Sequence, residues 1–521
     1  MADRPGISRR KLLRTAAAGG VAAAGTAFLF RPSRPIEGSF VDRGHVAGHR
    51  IRDSQSPRPP RKRVTAPVVV VGAGIAGLSA AWRMHRLGFE DFVVLELEDQ
   101  AGGNSRWGEN EVSAYPWGAH YIPVPDKRIP LVQELFEELG VIKQGRWDTR
   151  HFCREPQQRL FLDGHWQEGL EPGPDASKSD RDQFDRFWDR MDYYRQGGEF
   201  TIPIQRPGQT KGLDHISMKT WMVEQGFFSS KLRWYVDYAC RDDYGASYVD
   251  TSAWAGIHYF AARPREDIGV LTWTEGNGWI VKRLLEKLHP YLRTSAPAHR
   301  ILRSAGGLEV LTEHTVYSSS AIIFAAPTFL APYIIPQIGP GFPSMAQHEY
   351  SPWYTANVTL DCNPRETGAS PARENILYGS SGLGYVVAKH QGRGVAGAET
   401  VWTYYRALTE ASPGVGRAAL LETNWDERKE EILRDLEQAH PDIRDCTRRI
   451  DVMRLGHAMI RPGVGFITSE ARKRLEEWDG SIQFASSDLS GISIFEEAQY
   501  RGVRAADRVL KRLGFRDLDY A

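Results

Sequence analysis

Val68-Val69-Val70-Val71-Gly72-Ala73-Gly74-Ile75-Ala76-Gly77 decides the fold. Four β-branched residues in a row suit a strand buried on both faces of a parallel sheet. The glycines follow with the spacing GxGxxG, and the Ala-rich stretch 78–87 reads as a helix that Gly88 ends. A second apolar strand, 92–95, leads to Glu96, about 20 positions beyond Gly77, the spacing of a dinucleotide-binding βαβ unit. Each part has a physical task. Gly72 permits a tight turn, Gly74 lets backbone approach a pyrophosphate, and Gly77 lets helix and strand pack closely. The helix N-terminus, at Ile75 and Ala76, offers unpaired N–H groups and partial positive charge to the phosphates. Glu96 is placed to accept hydrogen bonds from ribose hydroxyls. A glycine-rich turn that binds nothing would need neither the helix nor the acid.

Toward the N-terminus the composition changes. Residues 1–63 carry 14 Lys and Arg against 4 acids, whereas the whole 521-residue chain has a net charge of +1. The body is therefore acidic and has no basic footprint for nucleic acid. Ser8-Arg9-Arg10-Lys11-Leu12-Leu13-Arg14 precedes an apolar Ala/Gly run over 15–30, and no acid occurs between Asp3 and Glu37. A basic stretch, a weakly apolar stretch and small residues describe an export signal, and the arginine pair resembles the bacterial twin-arginine (Tat) type. Residues 1–30 are thus expected to engage the Tat export machinery. The protein would then act on the periplasmic or cell-surface side, membrane-attached if the leader is not cleaved. Residues 31–64, rich in Pro and Arg, read as a linker. Four scattered cysteines signal neither a disulfide framework nor a zinc site, and no metal is expected.

Downstream of Glu96 come Gly102-Gly103-Asn104-Ser105-Arg106 and then Trp117-Gly118-Ala119-His120-Tyr121-Ile122. Here the chain resembles the FAD-dependent flavin amine oxidase and protoporphyrinogen oxidase superfamily. The resemblance implies that Gly102, Gly103 and Ser105 approach the cofactor and that Gly118 and Ala119 run along the flavin. The family arginine falls on Asn104. Arg106 either replaces that charge or forms a surface salt bridge. Further matches are Glu275-Gly276-Asn277-Gly278, the strand holding Ala298 at an adenine-contact position, and Ala321 to Pro327. Ile482-Gln483-Phe484-Ala485-Ser486-Ser487-Asp488 resembles the strand end whose acid binds the ribityl chain. Asp488 lies one residue late, so Ser487 is its rival. Ile494 and Phe495 open a final helix that implies a positive end aimed at the flavin pyrimidine.

The implied fold is α/β, a Rossmann-like FAD-binding domain with an interleaved α+β substrate domain. Its cofactor part is expected at 65–145, 268–335 and 466–514, and its substrate part at 146–267 and 336–465. Both insertions are rich in aromatics. Where many members place a lysine near the flavin, the strand 353–360 has none, and no cysteine is placed for covalent attachment. The resemblance therefore implies non-covalent FAD and a hydride transfer from an amine or related small molecule to flavin N5. Oxygen or a quinone would then reoxidise it. The alternatives are a desaturase or protoporphyrinogen-oxidase-like enzyme, or a flavin-bearing electron-transfer or assembly partner without its own substrate. His120 and His457 are the candidate catalytic residues, each either a substrate-facing base or a structural histidine.

Overall fold

A computed structural model of the chain describes residues 35–42, 44–53, 60, 62–173, 176–204, 210–263, 269–336, 338, 342–343, 348–391, 398–478 and 480–515. The leader expected at 1–30 lies outside the described residues. Among the described residues, strand β1 (Glu37–Phe40), helix α1 (Gly44–Arg52) and strand β2 (Lys62–Thr65) come first and correct, where they lie, the linker expected over 31–64. Neither strand has apolar periodicity of its own, and each is ordered by a distant partner. β1 pairs in parallel with 449–452, and β2 with 315–318.

The GxGxxG stretch folds as its pattern requires. Strand β3 (Val68–Val71) is fully buried, helix α2 (Ile75–Arg86) follows, and β4 (Phe92–Leu95) lies parallel to β3. The sheet runs Leu292–Arg293, β4, β3, Ala321–Phe324, Ile482–Phe484, all parallel. On one face α2 packs against the last long helix, and Val68, Val70, Leu78, Val503 and Val509 join a common core. Each such side chain contributes about 1.5–3 kcal/mol by leaving water. The other face is covered by the meander 300–319, which β2 extends.

A second sheet of eight strands holds strands β5 (Tyr350–Leu360) and β6 (Thr447–Ile460) side by side, with β1 on the outer edge of β6. Helix α3 (Ser230–Tyr244) belongs to a helical layer whose core includes Phe187, Trp221 and Trp254. The final helix α4 (Phe495–Arg512) returns the chain to the parallel sheet. There Gly502 meets α2 so closely that a Cβ would sit 2.1 Å from the Ala76 carbonyl oxygen.

The cysteines need a correction. Cys362 and Cys446 form a disulfide, while Cys153 and Cys240 are free. The pair is separated by 84 positions, but β5 and β6 run antiparallel, so Leu360 faces Thr447 and the flanking cysteines meet. Closing so long a loop restricts the unfolded chain by about 4–5 kcal/mol at room temperature. Urea melts with and without reductant are expected to differ by a clear fraction of that value.

Candidate cofactor cleft and substrate cavity

Gly72 has φ +102°, a conformation that L side chains rarely adopt. A Cβ on Gly77 would fall 1.9 Å from the Gly72 carbonyl oxygen. Gly74 caps α2 without any side-chain bond, leaving the first turn open at Ile75 and Ala76. Gly74 bridges to Gly102, and Gly103 faces it closely. Gly118 presses on Asn104, where a Cβ would stand 2.3 Å from the carbonyl oxygen. The glycines therefore form one cradle at the carboxyl ends of β3 and β4, where parallel sheets bind dinucleotides.

Glu96 closes the far side. Its carboxylate accepts from Ala73 N at 2.9 Å and Glu98 N at 3.0 Å. Burial pushes its pKa up, while those N–H groups oppose the shift. Ala298 is buried nearby, tied in through Ala296 N, which donates to the Glu96 carbonyl at 2.8 Å. Ser105 is buried in the turn. Arg106 makes an ion pair, 3.4 Å from Glu98, and donates to the Gly103 carbonyl. Asn104, in the family arginine's place, donates instead to the Ala458 carbonyl at 2.6 Å.

Asp488 accepts from Thr328 N at 2.7 Å and from the hydroxyls of Thr328 and Tyr350. Ser487, half-buried, is the more open of the two rivals. Ile494 caps α4 without a side-chain bond. The first turn of α4 departs from the positive end expected of it, because Glu496 and Glu497 are buried there. Arg263 offsets Glu496 at 2.9 Å. The glycine cradle, the uncapped turn of α2 and buried Glu96 fit the pyrophosphate and ribose of a dinucleotide.

A cavity of about 590 Å³ adjoins this cleft. Gly118, Ala119, His120, Ile494 and Phe495 line it, so the residues expected along the flavin share one chamber. β5 contributes Trp353 and Thr355, and no lysine lines the chamber among the described residues. His120 Nε2 lies 2.9 Å from Glu374 Oε1, and Gln158 donates to the other oxygen at 2.7 Å. Burial works to raise the Glu374 pKa, but the His120 hydrogen bond and charge hold it below the usual range. His457 does not line the chamber. It stacks on Phe329, with centroids 4.4 Å apart, and desolvation lowers its pKa to about 4.

Sequence reasoning missed Asp242 and Asp243, on the last turn of α3. Both line the chamber, and neither has a hydrogen-bond or ion-pair partner among the described residues. Burial pushes the Asp243 carboxyl up to about 7 against the opposing charge of Arg263, and burial with the charges of Asp243 and Glu374 holds the Asp242 carboxyl well above the usual range. A signal was present: two adjacent acids at a helix C-terminus oppose the helix dipole, so they need another reason to be there. A smaller void of about 20 Å³, enough for one water, lies between Asp242, His120 and Glu374.

The cradle and chamber define a dinucleotide-binding architecture. A family model for an NAD(P)-binding Rossmann-like domain matches residues 70–139. The chain is 35% identical over 189 residues to a 15-cis-phytoene desaturase of an Oncidium hybrid cultivar, 34% of this chain and 29% of that protein. It is 28% identical over 122 residues to a Baeyer-Villiger monooxygenase of Penicillium patulum, 23% of this chain and 18% of that one. The chain therefore matches less than a third of the length of either relative. Among solved structures, putrescine oxidase bound to putrescine has TM-score 0.64 at 17% identity, covering 86% of this chain and all of that one. Cyclohexylamine oxidase from Brevibacterium oxydans has TM-score 0.67 at 15% identity, covering 87% of this chain and all of that one. The fold is that of the flavin amine oxidases.

Proposed function

We propose that this chain is an exported FAD-dependent oxidoreductase acting on a cationic amine, with oxygen or a quinone as the final acceptor. One observation carries the substrate class. The chamber's other charges are matched, His120 with Glu374, Arg263 with Glu496 and Arg128 with Asp126, but Asp242 and Asp243 have no hydrogen-bond or ion-pair partner among the described residues. Buried carboxylates without counter-ions are costly, and an ammonium offsets that cost. A hydrophobic polyene, the substrate type of a desaturase reading, would leave both acids against hydrocarbon.

Bound FAD supplies the hydride acceptor. Gly72, Gly74, Gly77 and Glu96 hold its phosphate and ribose end without a covalent link. Asp242 and Asp243 hold the ammonium, and His120, steadied by Glu374, is placed to exchange a proton at the substrate nitrogen. The arginine-pair leader and the Cys362–Cys446 disulfide support export, since disulfides persist in oxidising compartments.

Anaerobic addition of an amine panel to the coloured protein tests the reading. Bleaching by a cationic amine is expected, and retained colour across the panel would overturn it. The pH dependence has a definite sign. Below about pH 7 Asp243 is protonated and cannot pair with an ammonium. The amine kcat/KM is therefore expected to climb by up to about tenfold per pH unit as the pH rises through about 7. Asp243→Asn should flatten that rise.

A further inference from the structure

The segment between the leader and the GxGxxG turn is built into both halves of the molecule. β1 lies along β6, in register from Glu37 with Arg449 to Phe40 with Val452. Asp42 locks this end. It accepts from the Arg454 backbone N at 3.1 Å and pairs with the guanidinium at 3.0 Å, while that guanidinium also covers the Phe40 ring. The chain then leaves the eight-stranded sheet, and α1 runs onto the dinucleotide domain.

The two ends of α1 meet two landmarks of the cofactor cleft. At its start, Gly44 lies against the Glu98 carboxylate, two residues beyond Glu96, where a Cβ would stand 1.8 Å from Oε1. At its end, Ile51 is 4% exposed, in one apolar cluster with Val71, Leu95, Ala298 and Ile334. Ser295 N donates to the Glu98 carbonyl at 2.7 Å, so the Glu98 and Ala298 segments are neighbours. Helix α1 thus runs from the Glu98 carboxylate to the apolar cluster that holds Ala298, the residue expected beside adenine. Beside Ala298, the Nδ1 of His299 is buried without a hydrogen-bond partner among the described residues.

We infer that residues 37–42 and 44–52 form the outer wall of the adenosine half of the cofactor site. Its two anchors, Asp42 and Ile51, set how long FAD stays bound. The inference rests on the dinucleotide reading above. Ligand exit through a wall held at both ends requires one anchor to open first, so loosening either anchor speeds release.

The test uses the full chain loaded with FAD. Release is followed by the rise in flavin fluorescence after dilution, for wild type, Asp42→Ala and Ile51→Ala. Each variant is expected to release FAD about tenfold faster or more. Amide exchange of the wild type, with and without FAD, supplies a measurement that needs no variant. Bound FAD should slow exchange across 44–52. Release within twofold of wild type from folded variants, or exchange at 44–52 that ignores FAD, overturns the assignment. Wild-type protein that takes up no flavin removes the premise and overturns it as well, whereas FAD held equally long by all three chains refutes the wall alone.

Discussion

Gly77→Val is expected to leave the protein colourless. A Cβ at this position would stand 1.9 Å from the Gly72 carbonyl oxygen and 3.0 Å from its carbon, with the Ala325 Cβ at 3.3 Å. The first two are backbone atoms of the phosphate turn, so they cannot rotate away as a side-chain tip does. Helix α2 must lift from β3, and the N–H groups at Ile75 and Ala76 then no longer converge on a pyrophosphate. Gly74→Ala separates binding from folding. Its Cβ meets nothing nearer than the Gly103 Cα at 3.9 Å, so the protein itself has room for it. Its methyl group occupies the mouth of the turn instead. Folded protein with FAD affinity about 10–100-fold weaker is expected, equivalent to roughly 1.4–2.8 kcal/mol. Flavin absorbance per chain after desalting checks both. Full flavin content in Gly77→Val would sink the assignment of the turn.

Replacing both acids, Asp242→Asn with Asp243→Asn, is expected to abolish most turnover of a cationic amine while leaving flavin content intact. A unit charge about 4 Å from an ammonium is worth roughly 4 kcal/mol at an effective dielectric of 20. A charged hydrogen bond contributes about 1.5–3 kcal/mol net. Two such contacts predict a fall in kcat/KM of about 10²–10⁴-fold. The flavin should stay, because the acids end α3 and are not part of the turn at Gly72. The flavin-free fold should melt at a higher temperature, since burial holds both carboxyls above their usual range and the native state gains by losing them. Steady-state kinetics on amines, with melting curves alongside, decides the matter. Unchanged kcat/KM on every amine would mean that the acids do not face the substrate.

Much of the dinucleotide half was legible in the chain, for a physical reason. The turn, the uncapped helix and the acid at the next strand end lie within about 30 residues, and each follows from local rules of glycine conformation and strand burial. Resemblance extended that reading to Gly118, Ala119, Ile494 and Phe495, which the cavity brings together. Where roles rested on one residue type alone, legibility failed. His457 and His120 are equivalent as letters, yet one stacks on Phe329 and the other lines the chamber beside a carboxylate.

The amino-acid order by itself determined the β3-α2-β4 unit and its glycine cradle, because those contacts close over short loops. Tertiary structure alone decided the rest. Glu374 reaches His120 across 254 positions, Arg454 reaches Asp42 across 412, and Cys362 meets Cys446 across 84. Pairings at such distances depend on which strands lie side by side, and no local periodicity records that. The same holds for the unmatched charge of Asp242 and Asp243. It exists only once the fold has enclosed them and assigned the neighbouring charges to other partners.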